Sequence, residues 1–395
     1  MLAKMATLSA LLLSIAVVLA SVVAAAPTKN AYGVGAAGYK GVTKASKPLN
    51  IILTNDDSWA SSNLRAFYYA LRTAGHNVQV VAPAHGQSGK GGTVVLPTNK
   101  TIVTAGEFNA LPASSPYSGH NESDSSLAYF DGTPAACIFW ALDQVKPFNG
   151  DIDLLVSGPN FGTNLGPSLF TLSGTIGATY TAIERGIPGI AFSASNNASG
   201  YVSRPTARTA DSPPLVFTLI TSPHSRLALQ QELDLENPNE PSNLIAVASA
   251  NFVNSFASQR LHKRSYTPKN QGLGKSSNRI LPYAIGLNVN YSPLNSSSCK
   301  TPEWVHTRLT GGAVTDKLVI GSDGLPAYEN YSPENGLNTC INGDCSLPGE
   351  TTEVEKGCRA AVSIFSTDYD APKSSSSKTS DHLNIAIQVL NKKSK

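Results

Sequence analysis

The sequence predicts an α/β protein, a mostly parallel sheet between two helical layers, with a β-rich extension towards the C-terminus. Three observations carry this. Short apolar runs at residues 50–54, 78–82, 128–130, 152–156 and 187–192 have the length and branched content of buried strands. Segments between them carry apolar residues at helical spacing. Polar, glycine-rich stretches follow several of the strands, where open parallel sheets bind ligands. Strands alternating with helices imply parallel pairing, because a parallel neighbour is reached only by a long crossover.

Taken in order, residues 27–48 are rich in Gly, Ala, Lys and Ser without periodicity and read as a flexible lead-in. Within them Gly33-Val34-Gly35-Ala36-Ala37-Gly38 matches a dinucleotide fingerprint, but no strand precedes it, so it reads as a loose arm. After the first strand, Leu64, Phe67, Tyr68 and Leu71 make one helix face that Gly75 stops. Residues 135–145 and 174–185 are the next helices. Beyond Ser193 the alternation loosens through Pro213-Pro214 and two polar segments, which reads as an insertion at about residues 205–280. Residues 283–291 and 360–365 resume as strands that return to the core or extend it. The main domain is then 49–372, followed by a low-complexity tail at 373–395.

Residues 1–26 hold Lys4, an apolar run and Ala24-Ala25-Ala26, the pattern of a secretory signal peptide. The run is nearly long enough to span a bilayer, so an uncleaved anchor is the alternative. No later stretch is, so no membrane contact is expected after cleavage. The 395-residue chain carries a formal charge of +3, or +2 without the signal, and gives no nucleic-acid footprint. Four of its five cysteines, Cys299, Cys340, Cys345 and Cys358, lie in the last quarter, where an oxidising compartment would pair them in any of three ways. Cys137, in an apolar helical stretch, reads as a buried free thiol. Asn99, Asn121, Asn197, Asn290, Asn295 and Asn330 begin glycosylation sequons and are candidate glycan sites on surface loops.

The candidate chemistry starts at Asn55-Asp56-Asp57. Adjacent acids at the tip of a buried strand repel one another unless a cation lies between them, which points to a hard divalent metal. Ser88, in the glycine-rich stretch 82–92, and Asn160, in 157–166, offer neutral oxygens and complete the oxygen-only shell that Mg²⁺ or Mn²⁺ prefers. Zinc fits less well, because no Cys/His pair stands at ligand spacing. Ser173-Gly174-Thr175 opens a helix and offers N–H groups and hydroxyls to an anion. Each motif has a plain counterpart: an Asx turn, a connector loop, an N-cap. Their combination is more informative than any one. A P-loop is excluded by Gly91 where Ser or Thr is needed, and a nucleophile elbow at Ser88 lacks its final glycine at Lys90.

Asn55-Asp56-Asp57, Ala82-Pro83 with Gln87-Ser88-Gly89, Asp131-Gly132-Thr133-Pro134, Ser157-Gly158-Pro159-Asn160 with Asn164-Leu165-Gly166, and Ser173-Gly174-Thr175 occur in an order that resembles the SurE-like family of metal-dependent phosphatases and nucleotidases. The resemblance covers about residues 49–193 and returns at 286–291 and around 351–370. It implies a Rossmann-like core, a β-hairpin extension used in oligomer contacts, and metal-dependent hydrolysis of phosphomonoesters such as nucleoside monophosphates. By position, Asp56, Asp57, Ser88 and Asn160 match the metal ligands, and Asn164, Ser173, Gly174 and Thr175 the phosphate contacts. Asp56, Asp57 and Asn164 are the catalytic candidates, with Asn55 orienting the acids. Ser58 and Pro159 depart from the family pattern without removing a ligand.

The expectation is a secreted phosphomonoesterase that uses a metal-activated water on a small phosphate ester, with a homodimer left open. Two rivals differ in class: a secreted phosphate- or nucleotide-binding protein of the same fold without catalysis, and an esterase acting through Ser88.

Overall fold

The structure, a computed structural model, describes residues 39–196, 237–258, 280–330 apart from 296, 314 and 315, then 339–370 and scattered tail positions between 376 and 388. The expected signal, the Gly-rich arm to residue 38, Asn197 and much of the expected insertion lie outside the described residues.

The strands in chain order are β1 (Asn50–Thr54), β2 (Asn77–Pro83), β3 (Ser118–Asn121), β4 (Asp124–Phe130), β5 (Leu154–Phe161), β6 (Gly189–Ala194), β7 (Ile285–Tyr291), β8 (Glu303–Thr307), β9 (Asp316–Ile320), β10 (Pro326–Asn330) and β11 (Arg359–Ser366). Nine form one sheet in the order β3-β4-β2-β1-β5-β6-β7-β11-β8, and β9 and β10 pair as a separate antiparallel hairpin. From β4 to β7 every neighbour is parallel. Antiparallel pairing enters at β3 with β4 and at β11 with β7. The helices are α1 (Ser62–Ala74), α2 (Pro134–Trp140), α3 (Gly166–Leu172), α4 (Gly174–Glu184), α5 (Pro241–Ser258) and α6 (Glu350–Glu355).

Alternation along β1 explains the layering. Ile51 and Leu53 point to one face and join Leu64 and Phe67 of α1 and Ile245 and Val253 of α5. Ile52 points to the other and joins Ala136 and Ile138 of α2 and Ala178 and Ala182 of α4. Each fully buried Ile, Leu, Val or Phe among them contributes about 1.5–3 kcal/mol. The expected α/β core with helices on both faces is therefore present, and residues 283–291 and 360–365 return to it as β7 and β11. The stop at Gly75 is also as expected: it is left-handed (φ 103°), and its N–H meets Arg72 O.

Four sequence expectations need correction. The lead-in is not loose from Tyr39 onward. The Tyr39 hydroxyl donates to Asn243 Oδ1 (2.6 Å), Thr43 N donates to Asn251 Oδ1 (2.9 Å) and Ala45 N to Ala74 O (2.9 Å), so this segment straps α1 and α5 together. Second, part of the expected insertion is α5, whose Ile245, Ala246, Ala250, Val253 and Ala257 are buried, making it the crossover helix between parallel β6 and β7. Third, residues 157–161, read as loop, continue β5 after an irregularity around the cis Gly158–Pro159 bond, with Asn160 beside Ser193 and Phe161 beside Ala194. Fourth, Asn290 lies on β7 and is fully buried, which removes it as a surface glycan site.

Cys137 is free and buried. The late cysteines take one of the three pairings, Cys299–Cys358 and Cys340–Cys345. The first spans 59 residues and links the segment after β7 to the start of β11. In the chain-entropy account a loop of that length restricts the unfolded state by about 4 kcal/mol. Replacing Cys299 and Cys358 together by Ser is expected to cost about 2–4 kcal/mol in a urea titration; an unchanged midpoint would count against a structural role.

Candidate active site

From β1 the chain builds outward to β2 and β4 on one side, then returns to place β5 on β1's other side. Such a reversal leaves a crevice at the strands' carboxyl ends. Asn55, Asp56 and Asp57 follow β1 at that crevice, and Asn160 lies near the end of β5 beside it.

Thr175 at the start of α4 joins the two sides. Its hydroxyl donates to Asp56 Oδ1 (2.5 Å) and stands 3.4 Å from Asn160 Oδ1. Asn160 spends its amide hydrogens on Phe161 O (3.1 Å) and Gly162 O (2.8 Å), so its carbonyl oxygen is the atom turned towards Asp56 and Thr175. Asp57 Oδ2 accepts the Phe161 N–H (2.8 Å). Gly174 permits the close approach: a Cβ there would lie 2.9 Å from Asp56 Cβ and 3.0 Å from Pro134 Cγ. The backbone N–H groups of Gly174 and Thr175, at the positive end of α4, face the Asp56 carboxylate.

The electrostatics are unfavourable without a cation. Burial pushes the Asp56 carboxyl up, against the pull of the Thr175 hydroxyl. Burial, then the charge of Asp56, pushes Asp57 well above the usual carboxylate range. Among the described residues no group of three or more His, Cys, Asp or Glu side chains is placed to hold a metal. A cation at this crevice would therefore be held by two carboxylates and neutral oxygens, a donor set that suits a hard divalent ion and does not suit zinc.

Ser88 sits on an exposed loop beside these groups. Gln87 N donates to Asp56 O (2.7 Å), and Gly91 N donates to Leu172 O (2.9 Å), so the loop is tied at both ends to the crevice. Gly177 on α4 leaves room for this, since a Cβ there would strike Gly91 O. Ser173 caps α4, its Oγ accepting the Ile176 N–H (3.3 Å), which leaves the hydroxyl proton to donate elsewhere. Asn55 is buried; its amide donates to Ser61 Oγ (2.8 Å) and its Oδ1 has no partner.

Asn164 is placed differently from the rest. It is tied to β6 and β7, with Nδ2 donating to Ser193 Oγ (2.8 Å) and its backbone N–H to Asn290 Oδ1 (2.8 Å). His85, the histidine nearest to Ser88 in sequence, pairs its Nδ1 with Asp131 (3.1 Å) and turns its Nε2 to Thr104.

Residues 51–311, which contain this whole crevice, match the family model of the survival protein SurE. The chain belongs to the SurE family. It is 38% identical over 341 residues to an acid phosphatase of Yarrowia lipolytica, covering 84% of this chain and 83% of that one. A 5'-nucleotidase SurE of Desulfovibrio desulfuricans is 37% identical over 147 residues, 37% of this chain and 49% of the relative. The chain thus spans about half the length of that bacterial relative. The crystal structure of SurE from Aquifex aeolicus shares the fold, with a TM-score of 0.51 at 22% identity, covering 85% of this chain and 99% of that one.

Sequence reasoning missed the residues that support the crevice from behind: Asn288 and Asn290 on β7, inside the matched region, and Glu350 on α6, beyond it. In the sequence Asn290 stands out as a sequon and as part of the 286–291 stretch where the family resemblance returns. Glu350 lies well before the strand predicted at 360–365, and no local pattern distinguishes it from a surface carboxylate.

Proposed function

We propose that this chain is a secreted phosphomonoesterase that requires a divalent cation, Mg²⁺ or Mn²⁺, and acts on small phosphate esters, nucleoside monophosphates among them. The observation that carries this reading is the meeting of Asp56 and Asn160 Oδ1 at Thr175, the start of α4, with the charge of Asp57 beside Asp56, an arrangement of oxygen donors that suits a hard cation. The names of the relatives, acid phosphatase and 5'-nucleotidase, support the same reaction class. The apolar N-terminal segment and the paired late cysteines support secretion. Among the described residues no helix is long and apolar enough to cross a membrane.

When bound, the cation would supply Lewis acidity and make a water nucleophilic near neutral pH. Asp56, Asp57, Asn160 and the Ser88 hydroxyl would hold it. Asp57, whose one oxygen is fixed by Phe161 N–H, has its other oxygen available to orient the attacking water and accept its proton. Ser173 and Asn164 would donate to the phosphoryl oxygens, and α4 would direct its positive end at the charge that grows there in the transition state. The exposed apolar residues Leu318, Ile320 and Leu325 of the β9–β10 hairpin suit contact with a second copy of the chain.

The test is phosphate release from p-nitrophenyl phosphate and a panel of 5'- and 3'-nucleotides by the secreted protein. EDTA is expected to abolish release, and Mg²⁺ or Mn²⁺ to restore it. Folded protein that releases no phosphate under either metal would sink the enzyme reading and favour a binding protein.

A further inference from the structure

The segment 164–166 is held from the far half of the chain. Asn290 meets Asn164 twice: Oδ1 accepts the backbone N–H (2.8 Å) and Nδ2 donates to the carbonyl (3.3 Å). Asn288 Nδ2 adds a third bond to the same carbonyl (3.1 Å). Two residues on, Gly166 N donates to Glu350 Oε1 (2.9 Å). Glu350 Oε2 accepts from Ser363 Oγ (2.7 Å), which lies 2.8 Å from Thr307 Oγ1. Asn288, Asn290, Glu350 and Ser363 are all fully buried. Gly166 is left-handed (φ 72°), and a Cβ on it would lie 2.5 Å from Ala313 Cβ, so the segment is packed as well as hydrogen-bonded.

This arrangement is more than filling. By pairing with both the N–H and the C=O of one residue, Asn290 does for Asn164 what a neighbouring strand would do. Among the described residues Glu350 has no cation partner, a costly state for a fully buried carboxyl where an apolar side chain would pack at least as well. The charged groups on the elements around it are engaged elsewhere. Arg308 donates to Leu347 O and Thr339 O, while Glu353 pairs with Lys356 and Arg359. The Glu350 carboxyl instead accepts from Ser363, from Asn288 and from the Gly166 N–H of the segment that carries Asn164.

We infer that Glu350 and Asn290 are positioning residues: they fix the Asn164–Gly166 segment from behind, and the rate of phosphoryl transfer depends on that placement. The inference rests on the phosphatase reading and reaches beyond the residues that face the phosphate. Glu350 is the sharper case, because it reaches the segment through the Gly166 N–H and through Asn288, whose amide it accepts from and which bonds Asn164 O.

The experiment compares wild type, Glu350→Ala, Glu350→Gln and Asn290→Ala by kcat and KM on p-nitrophenyl phosphate with saturating metal, and by amide hydrogen exchange across 162–168. Glu350→Ala and Asn290→Ala are expected to lower kcat by about 10–100-fold with a smaller change in KM, and to speed exchange in that segment. Glu350→Gln is expected to rescue most of the loss: its carbonyl can take the Gly166 N–H and the longer Asn288 contact (3.5 Å), and its amide can meet Ser363 once the Ser363–Thr307 pair reverses, at the cost of the Asn288 bond to the other oxygen. If Glu350→Ala does not fold, Asn290→Ala still decides. Wild-type kcat and wild-type exchange in a folded variant would overturn the inference, and so would a Gln variant as slow as the Ala one. A wild-type protein inactive on every ester would overturn the phosphatase reading alone, since the exchange measurement tests the positioning without turnover.

Discussion

Asp57→Asn is expected to turn over phosphate esters about 10²–10⁴-fold more slowly than the wild type while gaining stability in the absence of metal. The two effects share one cause. Asp57 is held well above its ordinary pKa of 3.8, first by burial and then by the charge of Asp56. A carboxyl raised by folding binds its proton more tightly in the folded chain, so its ionisation drains stability as pH rises above the unfolded value. At neutral pH the metal-free wild type bears that penalty and an uncharged amide of the same size does not. With Mg²⁺ or Mn²⁺ present the order is expected to reverse, because a ligand that binds the folded state stabilises it in proportion to its affinity, and the variant has lost one of its two anionic donors. Melting curves in EDTA and in excess metal, beside kcat, check both halves. A variant with wild-type rate would remove Asp57 from the site; one less stable than wild type in EDTA would show that the Phe161 N–H bond outweighs the repulsion.

How much of this was legible in the sequence follows from how local each feature is. β1 and its acids could be read directly, because the four buried residues of β1 and the Asn55-Asp56-Asp57 run that follows them are contiguous. The site's other half was readable as composition but not as structure. Asn160 stands in a Ser-Gly-Pro-Asn stretch that looks like a turn, yet it continues β5, and only its pairing with Ser193 on β6 shows this. α5 was hidden by polar, proline-bearing sequence before it, although its buried Ile245, Ala246, Ala250 and Val253 fall at helical spacing. Tyr39 was hidden by the opposite circumstance, a single large side chain in a Gly/Ala/Lys/Ser stretch, whose partner Asn243 is 204 residues away. The support of Asn164 was least legible: Asn290 and Glu350 reach the 164–166 segment over separations of 126 and 184 residues, and no window on the sequence contains both ends.

Glu350 also carries the largest pH effect expected of any single carboxyl outside the crevice. Burial raises it from an ordinary 4.5 to about 8, against the pull of its bonds from Gly166, Ser363 and Asn288. Between those two values the folded chain holds a proton that the unfolded chain has released, so stability falls as pH rises through that window and is level on either side of it. The full excursion is about 3–5 kcal/mol at 1.36 kcal/mol per pH unit, a large part of the stability of an ordinary domain. Glu350→Gln keeps the shape and the acceptor for Gly166 and removes the titration. Its stability relative to wild type, from urea titrations at pH 5, 6.5 and 8, is therefore expected to increase steadily with pH and to be greatest at pH 8. A difference that stays flat across that range would mean that Glu350 ionises within the fold at no cost, and a compensating positive charge would then have to be sought near Ser363 and Thr307.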